Sequence, residues 1–265
     1  MTMASTDKWQ SGAAYESYMG RWSRSLARPF VEWLRMKPAA HWLDVGCGTA
    51  ALTRAICEHG APASVVGCDS AEAFVAHARK HVEDARASFV VAGVDALPER
   101  RGGFDAIVSG LVLNFLPQPE RALASMRERL AGRGIAAAYV WDYATGTEFL
   151  REFWAEAAAD PRAAAQDERT RFPLCEPGAL ERLFRATGFR DVSATALEIP
   201  TVFVDLEDFW QPFLGGTGPA PAYVASLEPG QRLELRDRLA RRLPSDPDGS
   251  IRLNARAWAV RGAVA

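Results

Sequence analysis

A chain of 265 residues that is 48% apolar and 24% charged is long enough to bury a large α/β core and has the balance of a globular protein. With 31 basic and 33 acidic side chains its formal net charge is -2, and no dense basic run occurs, which excludes the electrostatic footprint of a nucleic-acid binder. No apolar stretch approaches the length of a membrane span, the segment Met1 to Gln10 is polar, and Cys47, Cys57, Cys68 and Cys175 lie too far apart for a zinc or disulfide framework. The expectation is a cytoplasmic protein with reduced cysteines, no metal and no membrane insertion.

Residues 13 to 35 read as a helix, with Tyr15, Tyr18, Met19 and Trp22 on one face. The stripe is either core or a lid over a ligand, and in the second case Arg21 or Ser23 reaches the ligand's polar end. Trp42-Leu43-Asp44-Val45-Gly46-Cys47-Gly48-Thr49-Ala50-Ala51 then reads as strand, tight turn and helix. Gly46 and Gly48 permit positive φ and leave no Cβ between the backbone and a bound molecule, while the following helix aims free N–H groups at the same spot. Asp44, charged at the end of a buried strand, calls for a cationic or hydrogen-bonding partner.

A helix from Ala50 to His59 stops at Gly60, and Val65 to Asp69 forms the second strand. Asp69 follows Gly48 at close to the offset of about 20 residues at which dinucleotide folds place a ribose-binding acid. A helix through Phe74, Val75, Ala78 and Val82 leads to a strand from Ser88 to Ala92, then Gly93 to Pro98, then a strand from Phe104 to Ser109 that is apolar enough to be buried on both faces. Pro119 opens a helix that Gly132 and Gly134 close, and Ile135 to Trp141 is the fifth strand. Strands alternating with helices at these intervals specify a parallel, doubly wound sheet. Beyond Asp142 come a helix from Glu148 to Ala158, a polar connection from Asp160 to Arg171, a helix from Pro177 to Gly188 and a strand over 189 to 199. After these come the aromatics Phe209, Trp210 and Phe213, a charged helix carrying Leu235, Leu239 and Leu243, and a strictly alternating strand from Ile251 to Val260 beside water.

These residues resemble the class I S-adenosylmethionine-dependent methyltransferases, in particular the small-molecule branch similar to the ubiquinone and menaquinone C-methyltransferases. The resemblance covers most of residues 12 to 142 and is topological beyond. It rests on Leu43 to Thr49 as the family's first motif, on Asp69, on Asp95-Ala96-Leu97-Pro98, on Phe104-Asp105-Ala106-Ile107-Val108, and on Tyr18 to Trp22 as an N-terminal cap. Ala50 stands where the family often has a third glycine. The resemblance implies an α/β, Rossmann-like, doubly wound sheet of seven strands, mostly parallel with an antiparallel last strand and helices on both faces. It implies one methyltransferase domain over 1–265: a cap over 1–38, a cofactor-binding half over 39–142, and a substrate-side half over 143–265 with a helical insertion at about 203–245.

By the same resemblance the cofactor is S-adenosyl-L-methionine, which has no phosphates but carries an ammonium, a sulfonium and a ribose diol. Asp44 faces the methionine ammonium, Gly46, Cys47 and Gly48 line the backbone approach, and Asp69 accepts both ribose hydroxyls. Asp95 takes the adenine amino group while the Ala96 N–H donates to the ring, Ser70 or Ala71 packs on the ring face, and Ser109, Gly110 and Leu111 line the transferable methyl. Tyr18, Arg21 and Trp22 complete the cofactor set from the cap. Asp142, as an optional base after the fifth strand, and Asn114 are the catalytic candidates. Tyr15, Phe115, Tyr143, Phe172 and Trp210 are the acceptor contacts, with Trp154, Phe209 and Phe213 as further wall aromatics. The acceptor is a small molecule and the protein a monomer or homodimer. Gly46-x-Gly48-x-x-Ala51 also satisfies a relaxed dinucleotide fingerprint, so an NAD(P)-dependent oxidoreductase is the alternative, and a non-catalytic S-adenosylmethionine-binding partner protein is a third reading.

Overall fold

The computed structural model describes residues 16–216 and 218–264, so Tyr15 lies outside the described residues. One π-helical turn, Glu16–Gly20, runs into α1, Arg21–Leu34, whose apolar face buries Leu26, Phe30 and Leu34. An alternating series follows: β1 (His41–Val45), α2 (Ala51–His59), β2 (Ser64–Asp69), α3 (Glu72–His81), β3 (Ala87–Val91), β4 (Phe104–Gly110), α4 (Pro119–Arg129) and β5 (Leu130–Trp141). The later part holds α5 (Glu148–Ala157), α6 (Pro161–Ala164), α7 (Glu168–Arg171), α8 (Pro177–Ala186) and β6 (Arg190–Phe203). Then come α9 (Leu206–Trp210), α10 (Pro219–Ser226), α11 (Pro229–Arg242) and β7 (Ile251–Ala263).

The seven strands form one sheet in the order β3-β2-β1-β4-β5-β7-β6. β1 pairs in parallel with β2 and β4, and β7 runs antiparallel to both β5 and β6. This is the doubly wound, Rossmann-like sheet the spacing of elements predicts, with its strand order reversing between β1 and β4, where such sheets hold ligands beyond the carboxyl ends of the strands. Ala106, Ile107 and Val108 of β4 are fully buried, as a central parallel strand requires. β6 is an edge strand and accommodates Pro200, which has no ladder N–H to donate.

Two sequence-based boundaries move. β5 begins at Leu130 rather than Ile135, because Leu130 pairs with Phe104 across the sheet; Gly132 and Gly134 therefore lie in a strand and do not cap α4. A Cβ at Gly103 would come within 2.4 Å of the Ala131 nitrogen, so the two backbones approach as only glycine allows, with φ at +77°. β7 is also longer than its alternation suggests. Residues 257 to 263 are flanked by β5 on one side and β6 on the other, while 251 to 256 pair with β6 and are met on their other edge by the segment after β5. There Asp142 N–H donates to the Arg256 carbonyl, Arg256 N–H to the Gly146 carbonyl and Asn254 N–H to the Glu148 carboxylate.

The insertion between β6 and β7 comprises α9, α10 and α11, with α11 started by a reciprocal cap between Glu228 and Gln231. It is tied to α1 by Arg21, whose guanidinium donates to Asp208 at 2.8 and 3.1 Å. Among the described residues, no helix is long and apolar enough to cross a membrane, and no cluster of ligating side chains is placed to hold a metal.

Candidate active site

β1 delivers Asp44 to the switch point with 1% of its surface exposed. Thr53, buried on α2, donates its hydroxyl to Asp44 Oδ2 at 2.7 Å, and Oδ1 has no partner. Burial raises the Asp44 carboxyl to about 7; the Thr53 bond opposes the shift and the nearby Asp69 charge adds to it. A buried carboxylate oxygen without a donor is costly, and a cation or N–H donor placed against it would recover that cost.

The turn after β1 is built on left-handed residues: Gly46 at φ +74°, Gly48 at +51° and Ala50 at +70°. Gly46 and Cys47 both donate their N–H groups to the Cys68 carbonyl, which pins the turn to β2. Gly48 N–H donates to Asp69 Oδ2 at 3.0 Å, and Ala71 N–H to Asp69 Oδ1 at 2.9 Å. Each Asp69 oxygen keeps lone-pair capacity for a further donor. The two glycines differ in what they make room for. A Cβ at Gly48 would meet nothing within 4 Å, whereas one at Gly46 would strike Val112 Cγ2 at 2.6 Å. Gly48 thus opens onto the cleft, and Gly46 admits the loop after β4.

These groups line a cavity of about 440 Å³ that runs along the tips of all five parallel strands β1 to β5. It carries four carboxyl side chains, Asp44, Asp69, Asp95 and Glu168, and no lysine, arginine or histidine among its described lining residues. The uncapped N-terminus of α2 adds free backbone N–H groups at Ala51 and Leu52. Such a set suits a ligand bearing cations and hydroxyls, whereas a dinucleotide's pyrophosphate would be set against Asp44 and Asp69.

Residues 43–134 match the family model described as a methyltransferase domain. The chain is 27% identical over 218 residues to a trans-aconitate 2-methyltransferase of Deinococcus radiodurans, a match covering 76% of this chain and 78% of that one. It is 32% identical over 154 residues to a malonyl-[acyl-carrier protein] O-methyltransferase of Geobacter sulfurreducens, covering 58% and 57% of the two chains. A phosphoethanolamine N-methyltransferase of Haemonchus contortus, solved with S-adenosyl-L-methionine, shares the fold at a TM-score of 0.57 and 16% identity, over 96% of this chain and 56% of that one. The chain is a class I S-adenosylmethionine-dependent methyltransferase of the small-molecule branch.

In this methyltransferase the structure brings Asp44, Gly46, Cys47, Gly48, Asp69, Ser70, Asp95, Gly110, Leu111 and Tyr18 to the cavity, with Phe115 and Tyr143 on its wall. Leu111 is itself left-handed, at φ +61°, a strained conformation for a branched side chain and one that marks functional loops. Ser23, the alternative to Arg21 in the lid reading, also lines the cavity.

Other candidates have different jobs. Arg21 is held by Asp208 and lies over the Trp22 and Phe203 rings, away from the cavity. Trp22 packs against Phe149 and Phe203, so it is core rather than cofactor wall. Ser109 points back along the sheet and donates to the Val45 carbonyl at 2.9 Å. The Ala96 N–H donates to the Gly93 carbonyl and is not presented to the cavity. Asp142 is not a cavity residue: it accepts from Thr145 and from Arg256 at 2.9 and 2.7 Å. Burial alone would raise its carboxyl, but these bonds outweigh it and hold the group below its usual range, the wrong direction for a base. Asn114, in the short turn Leu113–Phe115, lies outside the lining, and its buried amide nitrogen has no partner. Phe172 stands behind Phe115 and Tyr143, at 5.0 and 5.5 Å, as their packing partner. Trp210, Phe209 and Phe213 form an aromatic core with Phe153, which stacks on Phe213 at 4.5 Å. None of the four histidines lines the cavity.

The residue that sequence reasoning missed is Glu168. It sits in what reads as a polar connection, and no period or motif marks it; only the fold turns α7 inward, leaving Glu168 2% exposed at the cavity.

Proposed function

We propose that residues 1–265 act as one methyltransferase unit in which this cavity holds S-adenosylmethionine and a small-molecule acceptor together. The observation that carries the assignment of residues is the unpartnered Oδ1 of Asp44, a buried acceptor of negative charge beside an open glycine cradle. Asp44 would pair with the cofactor's ammonium, Asp69 would accept from its ribose hydroxyls, and Ser70 with Asp95 would border the adenine. Gly48 keeps the cradle open, and Gly110 and Leu111 border the reacting end.

The cofactor supplies a methyl group already activated on a sulfonium. The protein's contribution is to hold donor and acceptor near attack distance while water is excluded, a contribution worth roughly 7–11 kcal/mol in well-oriented pairs. Phe115, Tyr143, Leu116 and Leu150 give the acceptor side an apolar wall. Four buried free cysteines support a reducing, cytoplasmic setting, and the enzyme is proposed to work as a monomer or homodimer.

Titration calorimetry with S-adenosylmethionine, and separately with NADH, tests the reading. Binding of the first and not the second is expected, and Asp69→Ala should weaken it about tenfold to a hundredfold, the loss of a charge-assisted hydrogen bond of roughly 1.5–3 kcal/mol. Unchanged affinity in folded Asp69→Ala would remove the assignment.

A further inference from the structure

Glu168 and Tyr18 form a second polar station in the cavity, apart from Asp44, Asp69 and Asp95, although the family resemblance places Tyr18 with the cofactor. Tyr18 is 4% exposed, lines the cavity, and its hydroxyl has no hydrogen-bond partner. Glu168 lines the same space and accepts a hydrogen bond from the Trp154 indole N–H, on the side away from the opening. Both line the same cavity, and a chain of ring contacts runs from Tyr18 through Phe213 and Phe153 to Trp154, the residue that donates to Glu168. Around them the wall is apolar: Leu150, Phe115, Tyr143 and Pro219. The Tyr18 hydroxyl is a buried polar group without a partner, which is costly unless a ligand completes it.

Resting on the methyltransferase reading of this site, we propose that the acceptor is a neutral, largely apolar compound whose hydroxyl is bound between Glu168 and Tyr18, with Glu168 taking the hydroxyl proton. A hydroxyl has one donor and two lone pairs. It can donate to Glu168 and accept from Tyr18 while a second lone pair stays free to react; an ammonium could satisfy only the first. In the step, the acceptor O–H bond breaks and its proton passes to the Glu168 carboxylate. The oxygen's lone pair forms the new O–CH₃ bond, and the electron pair of the broken C–S bond returns to sulfur.

The cavity also says what the acceptor is not. Among the described lining residues no lysine, arginine or histidine is placed to pair with a polycarboxylate, so the trans-aconitate of the Deinococcus radiodurans relative's name is not the acceptor this lining favours.

The groups facing Glu168 are the Tyr18 hydroxyl from the N-terminal turn, the Trp154 indole from α5, Asp167 and Arg171 on its own helix, and the Cys175 thiol just beyond it. Arg171 does not line the cavity and lies over the Phe172 ring. Burial dominates, raising the Glu168 carboxyl to about 8, with Asp167 adding to the shift and the Trp154 bond and Arg171 opposing it. The proton-accepting form therefore fills in as pH rises through about 8.

The test uses the full chain loaded with S-adenosylmethionine and three probes: 2-naphthol, 2-naphthylamine and trans-aconitate. Methyl 2-naphthyl ether is the expected product, formed at a rate that rises with pH towards about 8. Glu168→Gln should lower that rate about a hundredfold or more, the usual share of general base catalysis, and flatten the pH profile. Tyr18→Phe should weaken 2-naphthol binding to the S-adenosylhomocysteine-loaded protein, measured by calorimetry, with its fold intact by circular dichroism. Failure to methylate 2-naphthol, a preference for the amine or the carboxylate, or an unaltered rate and pH profile in Glu168→Gln would overturn the proposal. S-adenosylmethionine binding by calorimetry is read alongside: it should be unchanged in Glu168→Gln, and its absence in the wild type would refute the underlying assignment instead.

Discussion

Thr53 holds one oxygen of Asp44 at 2.7 Å and leaves the other bare, so the first acid of the site is positioned but not satisfied. The geometry fixes the carboxylate's plane from α2 while reserving one oxygen for a ligand. The cost is carried by the apo protein: burial lifts the Asp44 carboxyl to about 7, so near neutral pH a fraction of molecules hold a proton there.

The first prediction is a proton linkage. A cation bound beside Asp44 favours the ionised carboxylate, so cofactor binding should release protons at pH 6 and release few at pH 8.5, on either side of the raised value of about 7. Affinity should rise as pH goes from 6 to about 7.5 and then level. Calorimetry in buffers of different ionisation enthalpy reads the protons directly.

The two glycines of the turn should fail differently when substituted. In Gly46→Ala the new methyl meets Val112, so the variant should lose stability and regain part of it when Val112→Ala is added. Gly48→Ala has open space and pays mainly the left-handed backbone cost of roughly 1–2 kcal/mol, but its methyl projects into the cradle, so affinity should fall further than stability. Denaturation midpoints and cofactor titrations of the two variants separate the effects.

Asp142→Asn should destabilise without inactivating. The substitution leaves the Arg256 guanidinium beside a neutral amide, at a cost of about 3 kcal/mol, the low end for a broken buried pair because Arg256 is partly exposed. Since the Asp142 carboxyl is held below its usual range, its stabilising contribution is present above the unfolded value of about 4 and disappears as pH falls through the lower folded value. Urea melts taken downward from pH 7 should therefore show a wild-type advantage that is full at pH 7 and shrinks as the pH falls below about 4, with turnover per folded molecule retained.

Arg21→Ala should leave cofactor affinity within about twofold and lower stability by about 1 kcal/mol, the scale of a partly exposed ion pair. Calorimetry against a thermal melt checks both.

The sheet and the acids and glycines that line the cleft were legible because they depend on local signals: apolar runs of strand length, glycines at a turn, and acids at strand ends. Asp44, Gly48 and Asp69 reach one cavity because β1 and β2 are parallel neighbours in register, Val45 beside Cys68. Asp142 sits at a strand tip in the same way, yet its carboxylate belongs to Arg256 on β7, a partner 114 residues away that no local pattern pairs with it. The aromatics misled for a related reason. Trp22, Trp210 and Phe213 have the composition of a pocket wall, but Trp22 packs on Phe149 and Phe203, and the insertion between β6 and β7 folds Trp210 onto Phe213. Glu168 is the converse case, a charged residue in a polar segment that a short helix turns inward.

The measurement that bears most directly on the account is a titration of S-adenosylmethionine into Asp44→Asn, an isosteric neutral replacement. Because the wild-type carboxyl is raised to about 7, folded stability falls as pH climbs from about 4 to about 7, and the asparagine variant should be as stable as the wild type or more so at pH 8. Its cofactor affinity should nevertheless fall by at least about tenfold, the scale of one charge-assisted hydrogen bond, and its binding should no longer release a proton. A well-folded Asp44→Asn that binds S-adenosylmethionine as tightly as the wild type would contradict the account.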